Sequence, residues 1–285
     1  MNKYFISLDV GGTHCRIALM VYNEHDKLKK LKQEKFGINP DFEDGMRDLS
    51  DHIQEVRGSY TIESIGGIFP GLVDTQEGII RSATNLPKWE GKPIKDVLYK
   101  RFHVPIYIFH DVTAAAMGEA LYGCGKNKDS FIFMIWGTGI GGAKIERLLG
   151  KYHITSFEPG HNVADREGEP CSCGLRGCPE LEIGGGSLSK KIGRKLADVS
   201  DSDPIWDHVI EIAGQTVINT LAFHQTPYVI FGGGLILKRP FLLEKLKKIE
   251  GIEQDVFLHP ELKMAELGDD AALYGSVALQ QVELI

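Results

Sequence analysis

Three times in this chain a short apolar run meets a glycine-rich turn: at Asp9-Val10-Gly11-Gly12-Thr13, Gly137-Thr138-Gly139 and Gly232-Gly233-Gly234. Each run has the length and composition of a strand, and a turn without side chains lets backbone N–H groups close around a phosphate. One such turn can be no more than a tight bend. Three of the same kind, each after a strand, point to a nucleotide site. The first two also share a grammar. Tyr4 to Leu8 and Cys15 to Met20 flank the first turn as a hairpin, and Ser130 to Trp136 and Ala143 to Ile145 flank the second about 128 residues later. That spacing suits one unit per domain, and 285 residues suffice for two domains of about 100–200 residues each.

Helical patterns fall at 42–56, 111–121, 188–196, 205–223 and 270–281, with strands between them, so the class is α/β. No linker marks a boundary. The expected division is 1–111, 112–270, and a C-terminal helix at 271–285 packing back on the first domain. Composition excludes other classes: 42% hydrophobic and 25% charged residues describe an ordinary globular chain, not a disordered or fibrous one. A formal charge of -7 opposes a nucleic-acid partner, because phosphate backbones need a cationic face. No apolar run reaches the roughly eighteen residues of a membrane span. The N-terminus meets Asp9 before a signal-peptide core forms. The chain is therefore expected in the cytoplasm, without a membrane partner.

Two familiar phosphate motifs fail here. Gly125-Lys126 lacks both the earlier glycine and the Ser/Thr of a P-loop. Gly137 to Gly142 matches G-x-G-x-x-G, but Gly150 stops the following segment before a crossover helix can form. An NAD-dependent oxidoreductase built on that motif is the weaker alternative. A carboxylate beside a phosphate turn, as Asp9 is, makes sense if Mg²⁺ lies between, usually through water.

His161, Cys171, Cys173 and Cys178 form H-x₉-C-x-C-x₄-C, one imidazole and three thiols. That set suits tetrahedral Zn²⁺ with all four positions filled by protein, which makes the metal structural. It would also order the turn-rich, core-poor stretch from 162 to 178; the alternative is a surface loop of free thiols. Cys15 and Cys124 lie outside the set. Glu158 and Glu180 bracket this loop, either as solvated surface or as grips on a polar ligand. Asp111, before an alanine-rich segment, reads as a helix N-cap or as the base of a phosphoryl transfer.

Together these blocks resemble the ROK family of sugar kinases and repressors. The matching segments include Pro70-Gly71, Asn85-Leu86-Pro87, Glu158-Pro159-Gly160-His161 and Cys171-Ser172-Cys173-Gly174-Leu175-Arg176-Gly177-Cys178-Pro179-Glu180, besides the glycine turns and Asp111. The resemblance implies two ribonuclease-H-like domains, as in actin and hexokinase, around a cleft. It implies that Asp9, Gly11, Gly12 and Thr13 form the first phosphate loop and Gly137, Thr138 and Gly139 the second, with Gly232, Gly233 and Gly234 near the adenosine. It further implies Asp111 as catalytic base, sugar contacts from Gly71, Asn85, Glu158, His161 and Glu180, and a homodimer. His14 stands where lysine is common, in a Thr-His version that looks like the allose-kinase branch. His110 stands where many glucokinase-like members place a sugar-contacting asparagine. These departures bear on which sugar is bound. No helix-turn-helix precedes Met1, so the repressor branch is disfavoured. The reading is an ATP- and Mg²⁺-dependent, zinc-containing kinase that phosphorylates a hexose at its 6-hydroxyl. A sugar-sensing protein without catalysis is the rival.

Overall fold

The computed structural model describes every residue except Met1, 24–26, Thr84, 254–258 and Ile285. The chain divides into two compact units, one made of Met1–Tyr122 with Asp270–Glu283 and the other of Gly123–Asp269 with Leu284–Ile285. Among the described residues no helix is long and apolar enough to cross a membrane.

In the first unit β1 (Lys3–Val10), β2 (His14–Tyr22) and β3 (Leu28–Gly37) form an antiparallel meander. Then come α1 (Phe42–Arg57), β4 (Ile62–Phe69), the small ribbon of β5 (Leu72–Asp74) and β6 (Ile79–Ser82), α2 (Ile94–Phe102), β7 (Ile106–His110) and α3 (Asp111–Tyr122). The sheet order is β3-β2-β1-β4-β7, with β1, β4 and β7 parallel. This is the ribonuclease-H-like arrangement. β1 and β4 read as nearly continuous apolar runs because both faces are covered. β3 carries Lys29, Lys30, Lys32 and Lys35 on the sheet edge, where charge discourages a further strand from pairing. With so few apolar residues it carries no strand signal in the sequence.

The second unit repeats the plan. β8 (Ser130–Trp136), β9 (Ile140–Leu148) and β10 (Lys151–Phe157) form the meander, followed by α4 (Pro179–Ile183), α5 (Gly185–Ile192) and the long α6 (Ile205–His224). β11 (Tyr228–Gly232), α7 (Gly234–Lys238), α8 (Phe241–Leu246), α9 (Glu250–Glu253) and β12 (Glu261–Met264) complete it, in the sheet order β10-β9-β8-β11-β12. Trp206, Val209, Val217 and Leu221 of α6 pack with Val229 and Phe231 of β11 in its core. α10 (Ala271–Ala278) belongs to the first unit, where Leu273 and Val277 join Phe5, Ala18 and Met20 in one apolar cluster. It lies close against α3: a Cβ on Gly275 would sit 1.6 Å from the Ala114 carbonyl oxygen.

Candidate functional site

Parallel strands bring the segments beyond their carboxyl ends side by side, which is where open α/β sheets present ligand sites. In the first unit Asp9 pairs in register with Ile68, and Phe69 with His110. The first glycine turn, Pro70-Gly71 and His110-Asp111 therefore leave neighbouring strand ends. Gly11 N–H donates to the His14 carbonyl (2.8 Å), closing the turn. A Cβ on Gly12 would lie 2.3 Å from Asn85 Cβ, so Asn85 rests directly on the turn. Gly71 holds φ +80°, with its missing Cβ pointed at the Ser82 carbonyl. Asp9 accepts from Arg16 Nε (2.9 Å) and from Arg16 Nη2, and Arg16 in turn faces Asp270.

Asp111 opens α3 immediately after β7. Its Oδ1 accepts from the adjacent Val112 N–H (2.6 Å) and lies 3.4 Å from His110 Nδ1. A capping aspartate takes the amide two or three residues on; this one does not, and its side chain is 57% exposed. The N-cap alternative is thus set aside in favour of a carboxylate open to solvent.

In the second unit β8 and β11 are parallel, with Gly232 opposite Ile135, so Gly137-Thr138-Gly139 and Gly233-Gly234 emerge together. A Cβ on Gly137 would lie 3.5 Å from Gly234 N. Gly137-Thr138-Gly139 is the hairpin turn between antiparallel β8 and β9, and Gly141 and Gly142 already belong to β9, so no crossover helix follows the motif and the dinucleotide alternative goes with it. Gly185 and Gly186 N–H donate to the Gly137 and Thr138 carbonyls, both at 2.9 Å. Those bonds start α5 at Gly185, three residues ahead of the expected helix, and make it a third glycine wall. A cavity of about 1020 Å³ opens here, lined by Gly137, Thr138, Gly185, Gly186, Gly234 and Leu235 and extending to Lys195–Asp201, Lys238 and Arg239. Sequence reasoning missed 185–201 and 235–239. Gly184-Gly185-Gly186 was the one signal available, a glycine triplet of the kind already singled out at 232–234.

The polar loop folds into the expected ligand cluster. Donor atoms of His161, Cys171, Cys173 and Cys178 all lie within 4.8 Å of one another. Cys171 Sγ is 3.6 Å from His161 Nδ1, and Cys173 Sγ is 3.6 Å from Cys178 Sγ. Tetrahedral Zn²⁺ with bonds of about 2.0–2.3 Å needs ligand separations of this size, so the four residues fit the metal. The backbone amide of Leu175 holds the exposed Cys173 thiol below its ordinary range. Burial pushes the enclosed Cys178 up to about 12. Without a cation that thiol keeps its proton, so metal binding must release it.

Glu180, in the first turn of α4, joins loop to turn: Oε2 accepts from Ile140 N–H (2.8 Å) and Oε1 lies 3.8 Å from His161 Nε2. A Cβ on Gly139 would sit 2.6 Å from the same carboxylate. His161 thus turns Nδ1 to the thiols and Nε2 toward a carboxylate, close enough for an electrostatic contact though not a hydrogen bond. Glu158 is exposed at the entry to the short turn Pro159–His161.

A sequence model of the ROK family matches residues 5–283. The chain is 27% identical to a glucokinase of Thermotoga maritima, over 96% of each chain. It is 33% identical to a xylose repressor of Bacillus spizizenii over 81% of its own length, spanning 60% of that repressor. A solved ROK family glucokinase from Streptomyces griseus, in complex with glucose and AMPPNP, shares the fold at 24% identity. Its TM-score is 0.77, covering 98% of this chain and 99% of that one.

Proposed function

The chain belongs to the ROK family, and from that premise we propose that it is a cytoplasmic ATP-dependent sugar kinase that phosphorylates a hexose at the 6-hydroxyl. The observation that carries this reading is Asp111, a carboxylate at the end of a parallel strand, open to solvent and not consumed as a helix cap. A carboxylate so placed can accept a hydroxyl proton as well as bind the hydroxyl. Likeness to glucokinases supports the substrate class; the sugar's identity is left to assay.

In the proposed reaction Asp111 takes the proton of the sugar hydroxyl as its oxygen attacks the terminal phosphorus of ATP in line. The new O–P bond forms as the bond to the leaving ADP breaks. In the first unit Asp9, Gly11, Gly12 and Thr13 would address the donor's phosphates, and Gly71, Asn85 and His110 the sugar. In the second unit Gly137, Thr138 and Gly139 would address the phosphates, and Gly232, Gly233 and Gly234 the adenosine. Glu158, His161 and Glu180 would take sugar hydroxyls, since an ionised acid accepts strong charge-assisted bonds. Mg²⁺, when bound, would neutralise charge on the triphosphate. Asp9 is already paired with Arg16, so its share in holding that ion would run through water. Zn²⁺ on His161, Cys171, Cys173 and Cys178 would be structural, because four protein ligands leave no open position.

The test is ADP release measured across glucose, fructose, mannose, allose and N-acetylated hexosamines. Asp111→Asn is expected to keep sugar binding and lose turnover by about 10²–10⁴-fold. Wild-type turnover in that variant would sink the assignment. The 33% identity to a xylose repressor favours one second reading, sugar sensing without catalysis. Sugar binding with no ADP release by the wild type would select it.

A further inference from the structure

Arg239 is buried, 8% exposed, at the end of α7. Its guanidinium lies 4.7 Å from the Trp206 ring, and Nη2 donates to the carbonyls of Leu196 (2.6 Å) and Val199 (2.7 Å), while Nη1 pairs with Asp201. All three acceptors and Arg239 itself, with Leu235 and Lys238, line the cavity beside the second glycine turn.

Apart from Arg239, the 196–201 segment is held by Val199, buried in the apolar core, and by Leu196 packed against that core. It contains a single 3-10 turn, Leu196–Asp198, and pairs with no strand among the described residues. Trp206 Nε1 ties one further carbonyl, that of Ser200, at 2.8 Å. We propose that Arg239 is a positioning residue for the phosphoryl donor: it ties the 196–201 segment to the end of α7, fixes the shape of the cavity lining there, and so sets nucleotide affinity. This rests on the nucleotide reading of that cavity. A planar guanidinium is suited to the task because it serves two carbonyls and a carboxylate from one rigid fork, which a lysine ammonium cannot do.

Calorimetric titration with MgADP tests it without knowledge of the sugar. Arg239→Gln is expected to raise Kd about tenfold or more, equivalent to about 1.4 kcal/mol. Arg239→Lys should fall between that variant and the wild type, and Asp201→Ala should weaken binding less than either. A merely structural role would lower the number of competent sites and leave Kd unchanged, and titration separates the two. Unchanged Kd in Arg239→Lys and Asp201→Ala, which keep most of the anchorage should Arg239→Gln fail to fold, would overturn the proposal. Failure of the wild type to bind MgADP would instead remove the nucleotide reading, and this role with it.

Discussion

Gly233 and Gly234 stand side by side and look alike in the sequence, yet the structure asks different things of them. Gly233 holds φ +94°, and a Cβ there would lie 2.7–2.8 Å from backbone atoms of Trp136. Gly234 opens α7 with nothing within 4 Å of its missing Cβ. Gly233→Ala should therefore cost about 1–3 kcal/mol of stability in urea unfolding, and Gly234→Ala well under 1 kcal/mol. Equal costs would contradict that difference in constraint. The need for Gly233 arises from how β11 passes β8, a contact between distant segments, and local sequence cannot express it. Asp111 was legible as a candidate from its place between a strand and a helix and from the family resemblance, although an aspartate there is ordinarily an N-cap. Its freedom from capping depends on where the first turn begins. Arg239 offered no signal at all, since a lone arginine in sequence reads as surface.

At the scale of elements, hydrophobic pattern carried the strands that face two cores, and failed at the edges and in the metal loop. The loop's four ligands were legible because three cysteines fall within eight residues and a histidine precedes them by ten. What the spacing did not say is that Cys171 and Cys178 lie buried while Cys173 is exposed. Nor did it say that Glu180 ties the loop to the second glycine turn. α5 begins early for a similar reason: its first amides are satisfied by carbonyls of a turn some fifty residues upstream, information absent from its own periodicity. Cys173→Ser leaves an incomplete set, and metal content by mass spectrometry should fall from about one zinc per chain to a small fraction of that. Amide exchange across 162–178 should rise with it. Full zinc retention in the variant would count against the four-ligand site.

For the whole molecule, the repeated strand–turn–strand grammar gave away two similar sheets, because that grammar depends on local alternation alone. The cavity was not legible, being assembled from three segments that meet only in the fold. The first unit draws on both ends of the chain, with α10 supplying Leu273 and Val277 to a cluster around Phe5, Ala18 and Met20. Leu273→Ala should cost about 2–5 kcal/mol as a buried deletion. By differential scanning calorimetry or urea melts, the loss is expected in the transition of the first unit. A cost under about 0.5 kcal/mol would mean that the cluster contributes no stability.

That two-ended construction also sets a schedule. Residues up to Tyr122 emerge from the ribosome with one side of their core uncovered, and the helix that covers it comes only after Asp270. At roughly 5–20 residues per second the wait is about 7–30 seconds. During that interval Phe5, Ala18 and Met20 present apolar surface on a partly formed sheet. The second unit is continuous from Gly123 to Asp269, with Leu284–Ile285 added at the end, so most of it is synthesised before the first unit can be completed.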